Sequence, residues 1–159
     1  MARGSWSSRS AALAGAVVLA GLGWLAWQEL WAHGGERRLV WQDVTAATIA
    51  EPSRAELRVF RDRAALHRHL ASGGRPATVP RLQLAGREAV LVAAGPRSSS
   101  AYELEVLAVV EQRRRVVVRI RERTPSLARP GTARLVFPFR LITIERTGKP
   151  VELDLKGRP

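Results

Sequence analysis

Apolar residues are spaced in distinct ways along this chain, and each spacing predicts a different element. Residues 11–27, AALAGAVVLAGLGWLAW, contain no charged or strongly polar side chain. An apolar run of about 17–25 residues can cross the hydrocarbon core of a bilayer as a helix. Arg3 and Arg9 precede the run, and Trp24, Trp27 and Trp31 gather at its far end. Flanking arginines hold an N-terminus in the cytoplasm, and tryptophans favour the membrane–water interface. The expected organisation is a cytoplasmic stub over 1–10, a transmembrane helix or signal anchor over 11–31, and a linker over 32–38. An extracytoplasmic β-rich domain over 39–159 would follow, outside the cell membrane. A cleaved signal peptide is the competing reading. It expects a shorter apolar run and a small residue three positions before the cut; for a cut after Ala32 that position holds Leu30.

Beyond the linker the period shortens to two. Residues 39–44 (LVWQDV) and 56–60 (ELRVF) read as strands, with a loop over 45–53. Asp62 is a suitable N-cap for a short helix over 63–71, with Leu66 and Leu70 on its buried stripe. Residues 87–94 (REAVLVAA) are apolar enough for a central strand. Residues 102–110 and 115–123 alternate, which places Leu104, Val106, Ala108 and Val110 on one face and Val116, Val118 and Ile120 on another. These two runs predict a hairpin turning at Gln112, Arg113 and Arg114. If the apolar faces coincide, Val110 opposes Val116 and Val106 opposes Ile120, which sets Glu105 against Arg121 and Glu103 against Arg123. Residues 134–146 form a β-rich run that Pro138 must interrupt, and 150–155 is a last strand. The predicted fold class is α+β, mainly β: an N-terminal transmembrane helix, then a small, mostly antiparallel β domain with one short helix.

Charge changes this picture only in part. The formal net charge is +12, and arginine supplies nearly all of the positive side chains; Lys149 and Lys156 are the lysines. A basic surface favours anionic partners. Arg113, Arg114 and Arg115 are the candidate basic patch, continued along the strand by Arg119, Arg121 and Arg123. No aromatic residue is interleaved with that stripe, so it does not suit nucleic acid. Anionic lipid headgroups or cell-wall polymer suit it better.

Candidate chemistry is sparse. The chain has no cysteine, which excludes disulfides, thiolate zinc sites and cysteine nucleophiles. His67 and His69 lie on different faces of the predicted helix, a spacing suited to no metal pair, and read as solvated surface residues. Ser98, Ser99 and Ser100 invite a nucleophile reading. A nucleophile elbow, however, lies between a strand and a helix with glycines on both sides. GPRSSSAY lies between two strands and lacks the second glycine. No metal, cofactor or catalytic set is expected, and the serines read as turn residues or an exposed recognition loop ending at Tyr102, which should pack or hydrogen-bond at the start of its strand.

From about residue 80 to 153, the segments AVLVAAGPRSSSAYELEVLAVV, RVVVRIRERTPSLARPG and FPFRLITIERTGKPVEL occur in an order that resembles the protease-complex-subunit (PrcB-like) family. Gly95, Tyr102, Pro125, Pro138, Phe139 and Lys149 fall in matching places. Where that family carries T-G-G before the tyrosine, this chain carries Ser99, Ser100 and Ala101. Losing those glycines would strain any left-handed backbone there. The loop is also similar to the tyrosine loop of chagasin-like cysteine-protease inhibitors. The resemblance implies an envelope protein, without catalysis of its own, that supports a protease or another envelope complex through protein–protein contact at Ser98, Ser99, Ser100 and Tyr102. The alternative is a basic domain for anionic lipid or wall polymer.

Overall fold

The computed structural model describes residues 36–72 and 77–156. The expected stub, membrane helix and most of the linker lie outside the described residues. Among those described, no helix is long and apolar enough to cross a membrane. The chain divides into two compact units, Met1–Glu36 and Arg37–Pro159, and the second holds every element below.

That unit is mainly β with one short helix, as its alternating runs predict. In chain order the elements are β1 (Arg37–Arg38), β2 (Trp41–Asp43), a 3-10 turn (Thr45–Ala47), β3 (Ala55–Phe60), α1 (Arg63–Ala71), β4 (Arg87–Ala94) and β5 (Arg97–Ser99). β6 (Glu103–Glu111), β7 (Val116–Arg123), β8 (Ala133–Val136), β9 (Phe139–Glu145) and β10 (Val151–Leu155) complete it. They form a four-stranded sheet in the order β1-β6-β7-β10, a second in the order β2-β9-β4-β3, and a two-stranded ribbon of β5 and β8. All ladders are antiparallel except β7–β10, which is parallel.

The central strands of the second sheet, β4 and β9, are buried on both faces. One face of β4 and β9, through Val90, Val92, Ile142 and Ile144, meets Leu104, Val109, Val116, Val118 and Ile120 of the first sheet. The other face, through Ala89, Leu91 and Leu141, meets Phe60, Leu66, Leu70, Val79 and Leu84. Full burial of one such side chain contributes about 1.5–3 kcal/mol. The Asp62 carboxylate accepts from the Ala65 N–H at 2.7 Å and so starts α1 where expected.

Two predicted strands are divided by geometry. The run 39–44 is interrupted because Leu39 turns into the core between the sheets while Val40 points to solvent. The chain crosses there from the first sheet, in β1, to the second, in β2. Pro138 likewise separates β8, in the ribbon, from β9, in the second sheet.

The β6–β7 hairpin keeps the expected partners only at its far end. Glu103 opposes Arg123, Glu105 opposes Arg121 and Val106 opposes Ile120. Val110, however, opposes Val117 rather than Val116. Gln112 N–H donates to the Arg115 carbonyl at 2.8 Å, so the turn is the two residues Arg113 and Arg114. A bulge between Val106 and Ala108 absorbs the resulting one-residue offset. It moves the inward face from Val106 to Val109 and leaves Leu107 exposed.

At the edge of the core, Glu88 is almost wholly buried, with Arg61 3.8 Å away and one carboxylate oxygen lacking a hydrogen bond. Burial raises its carboxyl above the ordinary value, against the opposing pull of Arg61 and Arg146. A carboxyl raised by folding contributes stability below its unfolded pKa and loses it as pH rises through the folded value. Glu88→Gln is therefore expected to raise the melting temperature at pH 7 and to leave it nearly unchanged near pH 4. Thermal melts at both pH values test this; a lower melting temperature at pH 7 would show that the charged form is the stabilising one.

Candidate functional site

The serine segment is more ordered than a turn. Gly95 ends β4 with φ 75, and a side chain there would place Cβ 2.9 Å from the Ala55 nitrogen. The chain leaves the second sheet at this glycine and forms β5. Ser99 pairs with Ala133 and Arg97 with Val136 of β8, with an irregularity between them. Ser100 N–H donates to the Thr132 carbonyl at 3.0 Å, and the Thr132 N–H donates to Ser100 Oγ at 2.8 Å. Ser99 Oγ donates to the Pro130 carbonyl at 3.1 Å and accepts from the Ala101 N–H at 3.3 Å. The hydroxyls of Ser99 and Ser100 thus hold two chain segments together.

The absent loop glycines have a structural counterpart. No described non-glycine residue has a positive φ, so Ser99–Ala101 turn without a left-handed conformation. The glycine lies across the ribbon at Gly131, where φ is 68 and a Cβ would stand 2.6 Å from Ser99 Oγ and 2.7 Å from the Ala101 nitrogen. Close approach of the two segments requires a glycine on one side, and this chain has it at 131.

The ribbon is joined to the first sheet by a part-buried ion pair whose acid is buried. The Arg97 guanidinium donates to Glu122 Oε1 at 2.6 Å, and the Glu122 side chain is only 6% exposed. Glu122 follows Val116, Val118 and Ile120 on the inward face of β7, so an acid closes that end of the core. The Arg97 guanidinium also lies 5.9 Å from the centroid of the half-buried Tyr102 ring. Tyr102 therefore packs at the start of its strand, as expected. The clasp exposes Ser98 on one strand and Leu135 on the other. Ser126 and Arg129 exchange backbone hydrogen bonds at 3.1 and 3.0 Å around a tight turn. Leu127, at its apex, is fully exposed, and Leu135 is 64% exposed.

The basic stripe does not survive as a stripe. Arg115 pairs with Glu152 at 2.6 Å, Arg119 with Asp154 at 3.6 Å, and Arg121 and Arg123 both with Glu105. Hydrogen bonds from Arg121 and Arg123 hold the Glu105 carboxyl below its usual value. Arg113 and Arg114, at the hairpin tip, have no acidic partner among the described residues. Neither segment, Ser98–Tyr102 or Arg113–Arg115, contributes to the other's contacts.

One pairing was not apparent from the spacing of the histidines. His69 is not a solvated surface residue: its Nε2 lies 2.8 Å from Glu56 Oε1, and its ring packs 5.3 Å from that of Phe60. Alternation along β3 puts Glu56 on the same face as Phe60, toward α1, and that parity was the available signal. The pair borders a cleft of about 210 Å³ that Ser53 also lines. Glu56 can orient the imidazole, but the nearby Ser72 hydroxyl is committed to the His69 carbonyl at 2.6 Å. Among the described residues no group of histidines and acids could hold a metal ion. Comparison of the chain with protein-family models, curated protein sequences and solved structures returns no match.

Removing Arg97 would leave the Glu122 carboxylate buried without its counter-ion. Arg97→Ala is expected to cost about 2–3 kcal/mol by denaturant unfolding. The Arg97→Ala, Glu122→Gln double variant should recover part of that loss. A loss under about 0.5 kcal/mol would show that the clasp is held by its serine ladder alone.

Proposed function

We propose that this chain is a non-catalytic, membrane-anchored envelope protein acting through protein–protein contact, in the manner of a protease-complex accessory subunit. Its contact element is the clasp formed by Ser98–Tyr102 and the segment from Thr124 to Val136. The observation that carries this reading is the display of two exposed leucines, Leu127 and Leu135, on one ordered segment outside both four-stranded sheets. Leu127 and Leu135 are exposed there while the backbone beneath them is fixed by the Ser99, Ser100 and Gly131 contacts. Pre-ordered loops bind with less loss of conformational freedom than mobile ones. Arg129 and Arg134 flank the leucines, and no acid occurs between residues 124 and 140. The partner surface is therefore apolar with an acidic rim. The order of segments shared with the PrcB-like family supports a protease complex as the partner.

The test is affinity capture with the tagged full chain from envelope extracts of its own cell, in parallel with a Leu127→Ser, Leu135→Ser variant. A specific protease or envelope protein should be recovered with the parent chain and reduced about tenfold or more with the variant. Both residues are exposed, so the variant should melt within a few degrees of the parent. Equal recovery from both would remove the clasp as the contact element.

Arg113 and Arg114 favour a second reading, contact with anionic lipid or wall polymer. It predicts vesicle binding that falls steeply with salt and is lost in Arg113→Glu, Arg114→Glu. Binding that ignores salt would exclude it.

A further inference from the structure

The two seams of the β-sandwich are closed differently. At one, the chain itself crosses between the sheets, and Leu39 fills the gap. At the other, β10 ends the first sheet and β3 ends the second, and no described strand lies beyond either. Val116 N–H donates to the Pro150 carbonyl at 2.9 Å, and Lys156 N–H donates to the Ile120 carbonyl at 2.8 Å. By the alternation of a parallel ladder, even-numbered residues of β10 bond to β7, so Val151, Leu153 and Leu155 turn their N–H and C=O groups outward. These three residues pair with Val116, Val118 and Ile120, so their side chains share the core-facing side. Leu153 is nevertheless 41% and Leu155 51% exposed, and Val59 of the other edge strand, β3, is 37% exposed. The residues that offer unpaired backbone groups also carry the uncovered leucines. Native proteins usually blunt such an edge.

We propose that a second copy of this chain covers this edge. Its β10 pairs antiparallel with the first about a two-fold axis at Asp154, joining two four-stranded sheets into one. Backbone parity and charge select that centre. With the axis at Asp154, Leu153 opposes Leu155 of the other copy, and both present outward backbone groups, as a hydrogen-bonded pair requires. Glu152 then opposes Lys156 on the outer face, twice. An axis at Leu153 would set Glu152 against Asp154, like charge against like. An axis at Leu155 would leave each Leu153 without an opposing leucine. The two Asp154 carboxylates face each other at the chosen centre. Each has Arg119 at 3.6 Å and Lys156 at 3.2 Å to offset the repulsion. This contact is separate from the clasp.

The absence of cysteine makes the test clean. Residues facing each other in a non-hydrogen-bonded antiparallel pair have Cα atoms about 4.5 Å apart, within disulfide reach. Asp154→Cys in the full chain, in mild detergent under mild oxidant, should give a covalent dimer on a non-reducing gel. Leu153→Cys, Leu155→Cys and the distant control Ser98→Cys should remain largely uncrosslinked. In sedimentation equilibrium, Lys156→Glu should weaken self-association about tenfold, and adding Glu152→Lys should restore it. Crosslinking of Asp154→Cys no greater than that of Ser98→Cys would overturn the proposal. So would preferential crosslinking at 153 or 155, or failure of the charge swap to restore association.

Discussion

A pair of central strands buried on both faces sets the terms for the rest of this domain. β4 and β9 can offer almost no polar side chain to either side, and their sequences, EAVLVAA and LITI, comply. Such a sheet needs two covering layers. The first sheet covers one face; α1 and the segments around Val79 and Leu84 cover the other. Every other element is placed by its contribution to one of these layers or by its exclusion from both. The β5–β8 ribbon is of the second kind, and its freedom from core duty lets it carry exposed leucines.

The ribbon is held by polar contacts whose value lies more in specificity than in net stability. The Arg97–Glu122 pair costs desolvation that its attraction only partly returns. What it does is give the buried Glu122 carboxylate a counter-ion that reaches it from the first residue of β5, two positions after Gly95. The serine hydroxyls and Gly131 then settle how closely the return segment approaches. A loop that could have been mobile is restricted to one path by a buried charge and two hydroxyls.

Much of the β architecture was legible because it rests on local periodicity. The helix cap at Asp62, the central position of β4, the break at Pro138 and the far register of the hairpin all follow from nearest-neighbour spacing. The features that were not legible depend on contacts distant in sequence. β5 exists only because β8 lies beside it, and its own residues, Arg-Ser-Ser, have no strand preference. β10 joins β7 in parallel, which no hairpin pattern announces. His69 finds Glu56 because β3 and α1 pack together. Arg115 and Arg119 read as part of a patch because their partners, Glu152 and Asp154, come from the last strand.

The bulge at Leu107 separates the two ends of the β6–β7 hairpin. Between it and the tip, strand alignment obeys the two-residue turn; beyond it, alignment obeys the inward row of Val106 and Leu104 against Ile120 and Glu122. Without that spare residue the two demands would conflict, and one apolar row would face water. Leu107 therefore acts as slack in the chain. The seat of Glu122 is thus set by the far register and not by the Arg113–Arg114 tip, so the turn is insulated from the clasp at the opposite end.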